Sequence, residues 1–270
     1  MRVVAHVSDL HFGRVDQSTL PALAQAIESA QPDALVVSGD LTQRARSHEF
    51  AEARAFLDSI PCPKIVVPGN HDIPLYNVIA RGLRPLSRFK RHFGNETEPF
   101  YADEEMAIAG LNTARSFSLK GGRINSMQTA NVCARFSALG RNPMRIVVTH
   151  HPFDIPDKRD FKGLVGRARM AIAAFAHCRV DLLLSGHMHV GGADESTVRY
   201  KTPGHSMLLV QAGTASSSRL RGEANSCNII RIERPYVTIE RMMWNDERRD
   251  FTQAKQDRFE LKPGGWARAA

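Results

Sequence analysis

Residues 2–11 read RVVAHVSDLH, a short apolar run that ends in Asp9 and His11. Four later stretches repeat this design, since each joins a short apolar run to residues that bind metals or protons. Such runs, bounded by polar and turn-forming residues, are typical of buried strands. The predicted strands are Arg2–Ser8, Ala34–Ser38, Lys64–Val67, Arg145–Thr149 and Asp181–Ser185.

The polar residues that follow these strands form five short motifs. They read DLH (9–11), GD (39–40), GNHD (69–72), THH (149–151) and GHMH (186–189). In a layered α/β sheet, ligands bind at the carboxyl ends of the strands, so five such ends imply one shared site. Two divalent metals need hard oxygen donors, nitrogen donors and a bridging carboxylate. The pattern therefore predicts a binuclear metal-dependent hydrolase of the α/β class.

Helical spacing of apolar residues predicts helices between the early strands, over Ser18–Ser29 and from Ser47 onward. This β-α-β-α-β order predicts parallel strands with right-handed crossovers. We expect one domain over residues 1–261, followed by a loosely ordered tail over residues 262–270, which contain Pro-Gly-Gly. Later helices are predicted near Ser126–Leu139 and Gly163–Ala176, and later strands near Leu208–Gln211, Asn228–Ile232 and Tyr236–Glu240.

The order and spelling of the motifs resemble the calcineurin-like metallophosphoesterase superfamily, whose signature runs D-x-H, G-D, G-N-H-[DE], H and G-H-x-H. The match extends from Asp9 to His189, about two thirds of the chain. This resemblance implies a four-layer αββα sandwich with mixed sheets. The nearest resemblance is to compact bacterial class III cyclic nucleotide phosphodiesterases and glycerophosphodiesterases, which also spell GDLT, GNHD, HHP and GHxH.

The resemblance also implies a ligand set for two divalent or trivalent ions. Manganese, iron and zinc all suit these donors, so the sequence does not choose among them. A water held between two such ions becomes a hydroxide near neutral pH and attacks the phosphodiester. One ion is assigned Asp9, His11, Asp40 and His189, and the other Asp40, Asn70, His150 and His187, so that Asp40 bridges.

The resemblance also gives roles to His71, Asp72 and Asn70 within the motifs, and leaves His151 open. His71 is expected to be no ligand but the acid that protonates the leaving alkoxide, and Asp72 to hold its tautomer and raise its pKa. Asn70 is a ligand that can also bind a phosphate oxygen through its amide nitrogen. His151 is open between a substrate-binding role and a supporting one behind the site.

Departures from related patterns narrow the activity. The segment GDLTQRA (39–45) lacks the arginine-glycine clamp of the protein serine/threonine phosphatases in this superfamily. The nucleases of the superfamily usually add a DNA-capping segment, whereas about eighty residues follow His189 here. The favoured activity is hydrolysis of a small diester, such as a cyclic nucleotide or a glycerophosphodiester. Two alternatives stay open: a larger anionic substrate (phospholipid, lipid-linked pyrophosphate or nucleic acid), and a non-catalytic metal-binding scaffold.

Charge points to anionic partners. The net charge is +8, which favours nucleotides, nucleic acid or an anionic membrane surface without choosing among them. The stretch Ile73–Asn95 contains no acidic residue, and residues 73–99 are a candidate basic rim or cap. A short helix is predicted after Pro85, with Leu86, Phe89 and Phe93 on one face. Its basic residues Arg84, Arg88 and Arg91, within segment 81–92, are predicted to bind substrate or an anionic surface, or else to contact solvent only.

The remaining features predict a cytoplasmic protein. The four cysteines lie far apart without a C-x-x-C pair, so we expect reduced thiols and no structural zinc. Asp9 interrupts the first apolar run too early for a signal peptide. No run approaches the ~18 apolar residues of a transmembrane helix. A homodimer is the default expectation for the oligomeric state.

Overall fold

The computed structural model describes residues 1–116, 118, 120–140, 143–155, 163–200, 205–218 and 223–269. Its strands are β1 (Arg2–Val7), β2 (Ala34–Val37), β3 (Lys64–Val66), β4 (Phe100–Ala102), β5 (Met106–Gly110), β6 (Met144–Val148), β7 (Leu182–Ser185), β8 (Gly192–Glu195), β9 (Leu208–Gln211), β10 (Ser226–Glu233), β11 (Tyr236–Asn245), β12 (Asp250–Lys262) and β13 (Gly265–Arg268). Its helices are α1 (Leu20–Ser29), α2 (Ser47–Asp58), α3 (Val78–Leu83), α4 (Ser87–Phe93), α5 (Ser126–Ser137), α6 (Ala168–His177) and α7 (Ser196–Arg199).

The strands form two mixed sheets. The first has the order β13-β12-β11-β10-β1-β2-β3, and the second β4-β5-β6-β7-β9-β8. The early strands β1, β2 and β3 are parallel, as the β-α-β-α-β order predicts, and β10 pairs antiparallel with β1. In the second sheet β5, β6, β7 and β9 are parallel, with antiparallel edge strands β4 and β8.

Three separate apolar cores show the layers. Side chains alternate along a strand, so in β1 Val3 and Val7 pack against helices α1 and α2, whereas Val4 packs in the core between the sheets. A third core joins the second sheet to α5 and α6 and contains Phe136 and Phe175. The order helix, sheet, sheet, helix is the four-layer αββα sandwich that the resemblance implied, and that prediction is confirmed.

The short basic helix predicted after Pro85 is present as α4. Its apolar face is buried as expected, since Leu86 and Phe89 are almost inaccessible to solvent and Phe93 packs against the same core. Phe89 meets Phe50 of α2 edge to face, with ring centroids 6.4 Å apart. Helix α4 therefore covers α2 on the outer side of the first sheet.

The predicted loose tail is wrong for residues 262–269. Strand β13 pairs antiparallel with β12, and Trp266 is buried between the sheets. The Trp266 indole Nε1 donates to Asp181 Oδ1 at 2.8 Å. Asp181 also accepts from Arg145 N and Arg234 Nη2 and lies 3.3 Å from His205 Nε2. One buried carboxylate thus anchors the end of the described chain.

The expectation of reduced thiols is wrong for one pair of cysteines. Cys133 of α5 and Cys178, directly after α6, form a disulfide across 45 residues of sequence. Cys62 and Cys227 are free thiols. The bond joins the two helices that cover the second sheet. Among the described residues, no helix is both long and apolar enough to cross a bilayer.

Candidate metal centre

The five sequence motifs meet at one edge of the sandwich. Asp9 and His11 follow β1, Asp40 follows β2, and Asn70 and His71 follow β3 in the first sheet. The second sheet supplies His150 after β6, and His187 and His189 after β7. The carboxyl ends of parallel strands from both sheets therefore converge. Six of the seven predicted ligands fall in overlapping groups that could hold metal ions, and Asn70 contacts His150 of those groups.

The backbone is held in a rarely adopted conformation at most of these positions. Asp9, His11, Asp40, His187 and His189 have positive φ angles of 54°, 52°, 52°, 72° and 62°. Such angles disfavour a residue with a Cβ, and strained residues of this kind concentrate at functional sites. Main-chain hydrogen bonds hold the backbone in this conformation: Asp9 N donates to Gly39 O and His11 N to Asp40 O, each at 3.0 Å.

Two glycines of the motifs let the loops approach each other closely. A Cβ on Gly69 would lie 2.1 Å from Asp40 Oδ1, and a Cβ on Gly186 would lie 1.7 Å from Ser8 Oγ. Neither position tolerates a side chain without movement of a neighbouring loop. The glycines of GNHD and GHMH thus bring the ligand-bearing loops into contact.

A first group of candidate ligands comprises Asp9, His11 and His189. Asp9 Oδ1 lies 3.5 Å from His11 Nε2 and 3.7 Å from His189 Nε2. Asp9 and His11 are fully buried, and His189 is nearly so. An oxygen and two imidazole nitrogens that converge at these separations match the donor set of a transition-metal ion.

A second group surrounds His150. Its Nε2 lies 3.1 Å from Asn70 Oδ1, 3.2 Å from His187 Nδ1 and 3.4 Å from Asp40 Oδ2. Two imidazole nitrogens, an amide oxygen and a carboxylate oxygen therefore face one point. This is again a mixed nitrogen and oxygen donor set suited to manganese, iron or zinc.

Asp40 stands between the two groups. Its Oδ2 lies 3.4 Å from His150 Nε2 and 3.9 Å from His11 Nε2, while its Oδ1 accepts from His71 N at 2.8 Å. Four buried polar atoms at this centre make no hydrogen bond: Asp9 Oδ1, both ring nitrogens of His11, and Asp40 Oδ2. Buried polar atoms without partners are costly unless a bound species satisfies them. The residues therefore fit the two ions that the resemblance implies.

The charged groups at this centre shift one another's pKa values. Burial opposes ionisation of Asp40, but His150, His71 and His11 outweigh it and hold the Asp40 pKa well below its usual value. Burial likewise opposes charge on His150, yet Asp40 raises the His150 pKa to about 9. Burial and His150 lower the His187 pKa to about 4, which leaves that imidazole neutral. Metals bind carboxylates and neutral imidazoles, so an ion held here would displace the proton from His150.

Residues behind the candidate ligands fix their orientation. His150 Nδ1 donates to Ser38 O at 2.8 Å, which leaves Nε2 as the nitrogen that faces Asp40. Ser8 Oγ donates to Asp9 Oδ2 at 2.6 Å, and Thr214 Oγ1 lies 2.6 Å from His189 Nδ1. Such contacts usually tune a metal site. We had not predicted these three supporting residues; the two serines stand beside motif residues, whereas Thr214 lies far away in sequence.

His71 lies at the rim of the centre and is partly exposed. Its ring centroid is 4.9 Å from that of His11, and its Nδ1 lies 2.9 Å from the main-chain oxygen of Gln43. A carbonyl oxygen only accepts, so Nδ1 carries the proton and Nε2 is the nitrogen that can exchange one.

The predicted role of Asp72 behind His71 requires correction. Its carboxylate binds groups other than the His71 ring: Asp72 accepts from the main-chain nitrogens of Gly69, Leu41 and Thr42 and from Thr42 Oγ1. Burial and the charge of Asp40 raise the Asp72 pKa to about 7. Asp72 thus ties the loop that carries Asn70 to the loop that carries Asp40, and the Gln43 carbonyl orients His71.

The structure places His151 behind the site. It is fully buried, with Nδ1 2.8 Å from Thr113 Oγ1 and Nε2 3.1 Å from the main-chain oxygen of Lys120. Burial, with His150 and His187, keeps its pKa well below the usual value. Because both ring nitrogens are engaged, the substrate-binding alternative for His151 is wrong. Its neutral ring holds the loop of Lys120 against the centre.

A cavity of about 220 Å³ opens beside His71. The arginines predicted to bind substrate do not line it: Arg84 and Arg91 are exposed elsewhere, and Arg88 donates to Ala45 O. We had not predicted a role for Arg81, which is buried in the cavity wall and donates to the main-chain oxygens of Pro74, Ser116 and Ser118. The cavity is lined by Gln43, Arg44, Asn70, His71, Ile73, Leu75, Arg81 and Lys120.

The fold and this cluster of aspartate, histidine and asparagine side chains define a metal-dependent phosphoester hydrolase. Residues 2–191, more than half of the chain, match the family described as calcineurin-like phosphoesterase, and the chain belongs to that family.

Individual proteins that are similar to this chain are named as phosphodiesterases or phosphatases. The chain is 26% identical to a probable cyclic nucleotide phosphodiesterase of Synechococcus sp., over 69% of this chain and 72% of that protein. It is 35% identical to glycerophosphodiester phosphodiesterase GpdQ of Enterobacter lignolyticus, over 57% of this chain and 58% of that protein, which is less than two thirds of its length. A dimetal phosphatase from Danio rerio shares the fold with a TM-score of 0.65 at 11% identity, covering 89% of this chain and 95% of that one.

Proposed function

We propose that this protein is a binuclear metal-dependent phosphodiesterase that hydrolyses a small diester such as a cyclic nucleotide or a glycerophosphodiester. The observation that carries the proposal is the position of Asp40, whose buried Oδ2 lies between two groups of nitrogen and oxygen donors and makes no hydrogen bond. A shared carboxylate offsets the repulsion between two neighbouring cations.

The ligand sets follow from the two groups. Asp9, His11, Asp40 and His189 would hold one ion, and Asp40, Asn70, His150 and His187 the other. When bound, the two ions supply Lewis-acid charge for the phosphoryl oxygens and a water acidic enough to act as the nucleophile. Manganese, iron and zinc all suit this donor set.

The residues of this chain supply the proton for the leaving group. His71 keeps its Nδ1 proton on the Gln43 carbonyl, so that Nε2 delivers the second proton to the departing alkoxide oxygen. Its neighbour Asp72 does not take part directly, but holds the Asn70 and Asp40 loops at a fixed separation. Proton transfer from His71 is needed most when the leaving group is a poor one.

The cavity beside His71 supports a small leaving group. A volume of about 220 Å³ admits a glycerol or a nucleoside-sized group, and the side chains of Arg44 and Lys120 contribute positive charge to its lining. The arginine-glycine clamp for a phosphomonoester is absent from residues 39–45. The names of the Synechococcus and Enterobacter relatives, which are phosphodiesterases, support the same class of substrate.

A substrate panel tests this proposal. Protein stripped with a chelator and reloaded with manganese is assayed on cyclic nucleotides, glycerophosphodiesters, phospholipids, nucleic acids and phosphomonoesters. We expect no turnover without metal, and specific rates at least tenfold higher on small diesters than on their monoesters, a difference of about 1.4 kcal/mol in barrier. Faster hydrolysis of monoesters, or activity that survives chelation, would refute the proposal.

A further inference from the structure

Large apolar side chains are exposed together beside the cavity. Tyr76, Val78, Ile79 and Leu83 are between 74% and 79% exposed, and we call them the apolar cluster. The other exposed large apolar residues of the described chain, Met1, Met127 and Val198, are separate in sequence. Single exposed apolar residues are ordinary, but a contiguous group marks a surface that contacts something.

Helix α3 carries most of this cluster, and it buries its charged residue while it exposes its apolar ones. Its arginine, Arg81, is buried and donates to three main-chain oxygens, whereas Ile79 and Leu83 face solvent. Asn77 caps the helix, because its side chain accepts from Ala80 N at 2.8 Å. Charged residues are almost never buried in preference to leucine in a water-facing helix. The network around Arg81 therefore holds the apolar cluster outward.

The segment that carries the apolar cluster is positively charged. Residues 73–95 contain five lysines and arginines and no acid. The exposed Arg84, Lys90 and Arg91, with the half-exposed Arg44, form what we call the cationic rim. The Arg44 guanidinium lies 5.3 Å from the ring centre of Tyr76, which places one cation of the rim against the apolar cluster. Exposed apolar side chains and exposed cations on one short segment are complementary to the acyl chains and anionic headgroups of a bilayer.

We propose that residues 73–95 are a docking surface for an anionic lipid bilayer: the apolar cluster enters the acyl boundary and the cationic rim binds headgroups. The surface shares Ile73, Leu75 and Arg81 with the wall of the cavity beside His71. Docking therefore brings that cavity to the membrane interface. The docking itself does not depend on the proposed activity, but its consequence, that a diester at the membrane surface can reach His71, rests on the proposed function.

Sedimentation with vesicles tests the docking without any turnover, so its failure is distinct from failure of the phosphodiesterase proposal. The full chain is mixed with vesicles of phosphatidylcholine alone, or of phosphatidylcholine with phosphatidylglycerol. We expect binding to the anionic vesicles only, with a loss of about tenfold in Ile79→Gln and again in Leu83→Gln. Met127→Gln, which removes another largely exposed apolar side chain, from α5, is the matched control and should bind like wild type.

The cationic rim is tested separately. Arg84→Gln and Arg91→Gln should each weaken vesicle binding about fivefold and reduce its salt sensitivity. Arg84→Lys, which keeps the charge, should bind like wild type. Arg248→Gln, in the turn after β11, should have no effect on binding. Circular dichroism melts establish that each variant is folded. Equal binding to both vesicle types, or unchanged binding in the Ile79 and Leu83 variants, would overturn the proposal. So would a wild-type dimer that Leu83→Gln converts to monomer, because the cluster would then bind a second copy of the chain.

Discussion

At the residue scale, two histidines of the centre are oriented by main-chain carbonyl groups. His71 is oriented by the carbonyl of Gln43, and His150 by the carbonyl of Ser38. A carbonyl oxygen can only accept, so in both rings Nδ1 carries a proton and Nε2 faces the reacting centre. The main-chain contacts thus fix which ring nitrogen faces the centre before any substrate binds.

His71→Ala tests the proton-donor role. We expect the rate on diesters with alkyl leaving groups to fall by a factor of about 10²–10⁴, the usual contribution of a general acid. Nitrophenyl diesters should lose far less, because their leaving group departs without a proton. The two rates are measured on the same preparation with saturating manganese. Equal losses on both substrates would show that His71 is a ligand or a structural residue.

Asp72→Asn tests whether Asp72 ties the two ligand-bearing loops together or supports His71. Asp72 accepts hydrogen bonds from four donors in two ligand-bearing loops. The free energy of unfolding of the variant should therefore be about 1–3 kcal/mol lower than that of wild type. Activity should fall by the same factor on alkyl and nitrophenyl diesters, since His71 is oriented by Gln43. Chemical unfolding and the ratio of the two rates are the measurements, with exposed Asp58→Asn as control. A selective loss on alkyl diesters would restore the role of Asp72 behind His71.

At the element scale, buried polar contacts join parts of the chain that lie far apart in sequence. Asp181, directly before β7, accepts hydrogen bonds from Trp266 of β13 and from Arg234 in the turn between β10 and β11. The pairing of β13 with β12 and this carboxylate together hold the last described residues. The Cys133–Cys178 disulfide joins α5 to the end of α6 in a similar way on the other face.

Asp181 should make stability depend on acid pH. Burial opposes ionisation of Asp181, but its bonds from His205, Arg145, Arg234 and Trp266 outweigh burial and lower its pKa. A lowered pKa in the folded state adds stability that is present above the unfolded value of about 3.9 and is lost as pH falls through the folded value.

Urea unfolding over a range of pH checks this prediction. Asp181→Asn should lower the unfolding free energy by about 1–3 kcal/mol at neutral pH, and the difference from wild type should shrink below about pH 4. Asp246→Asn, in an exposed turn, is the control. A difference that stays constant down to the acid limit would mean that the Asp181 charge adds no stability.

At the scale of the whole molecule, the sequence pattern predicted those features that depend on neighbouring residues in the chain. The apolar runs predicted β1, β2, β3, β6 and β7, and the residues after them all reach the common centre. The short helix α4 followed from the spacing of Leu86, Phe89 and Phe93. These features were predictable because strand ends and helix faces depend on residues close together in the chain.

Features set by distant contacts were not predictable in this way. Helical spacing marks Arg84, Arg88 and Arg91 as a basic face, but it does not show that Arg81 lies inside and Leu83 outside, since the loop of Ser116 and Ser118 decides that. The pairing of β13, the Cys133–Cys178 bond and the partner of Asp72 likewise depend on segments that meet only in the fold. The cytoplasmic location stays a prediction.

The most direct test of the central claim is the number of metal ions that each chain binds. Chelator-stripped protein is titrated with manganese, and bound metal is counted after gel filtration. The account predicts two equivalents for wild type, one for His189→Ala, which removes a donor from the Asp9 group alone, and weak or no binding for Asp40→Ala; His205→Ala, remote in the Asp181 network, should keep two. A single equivalent in wild type, or two tightly bound equivalents in Asp40→Ala, would contradict it.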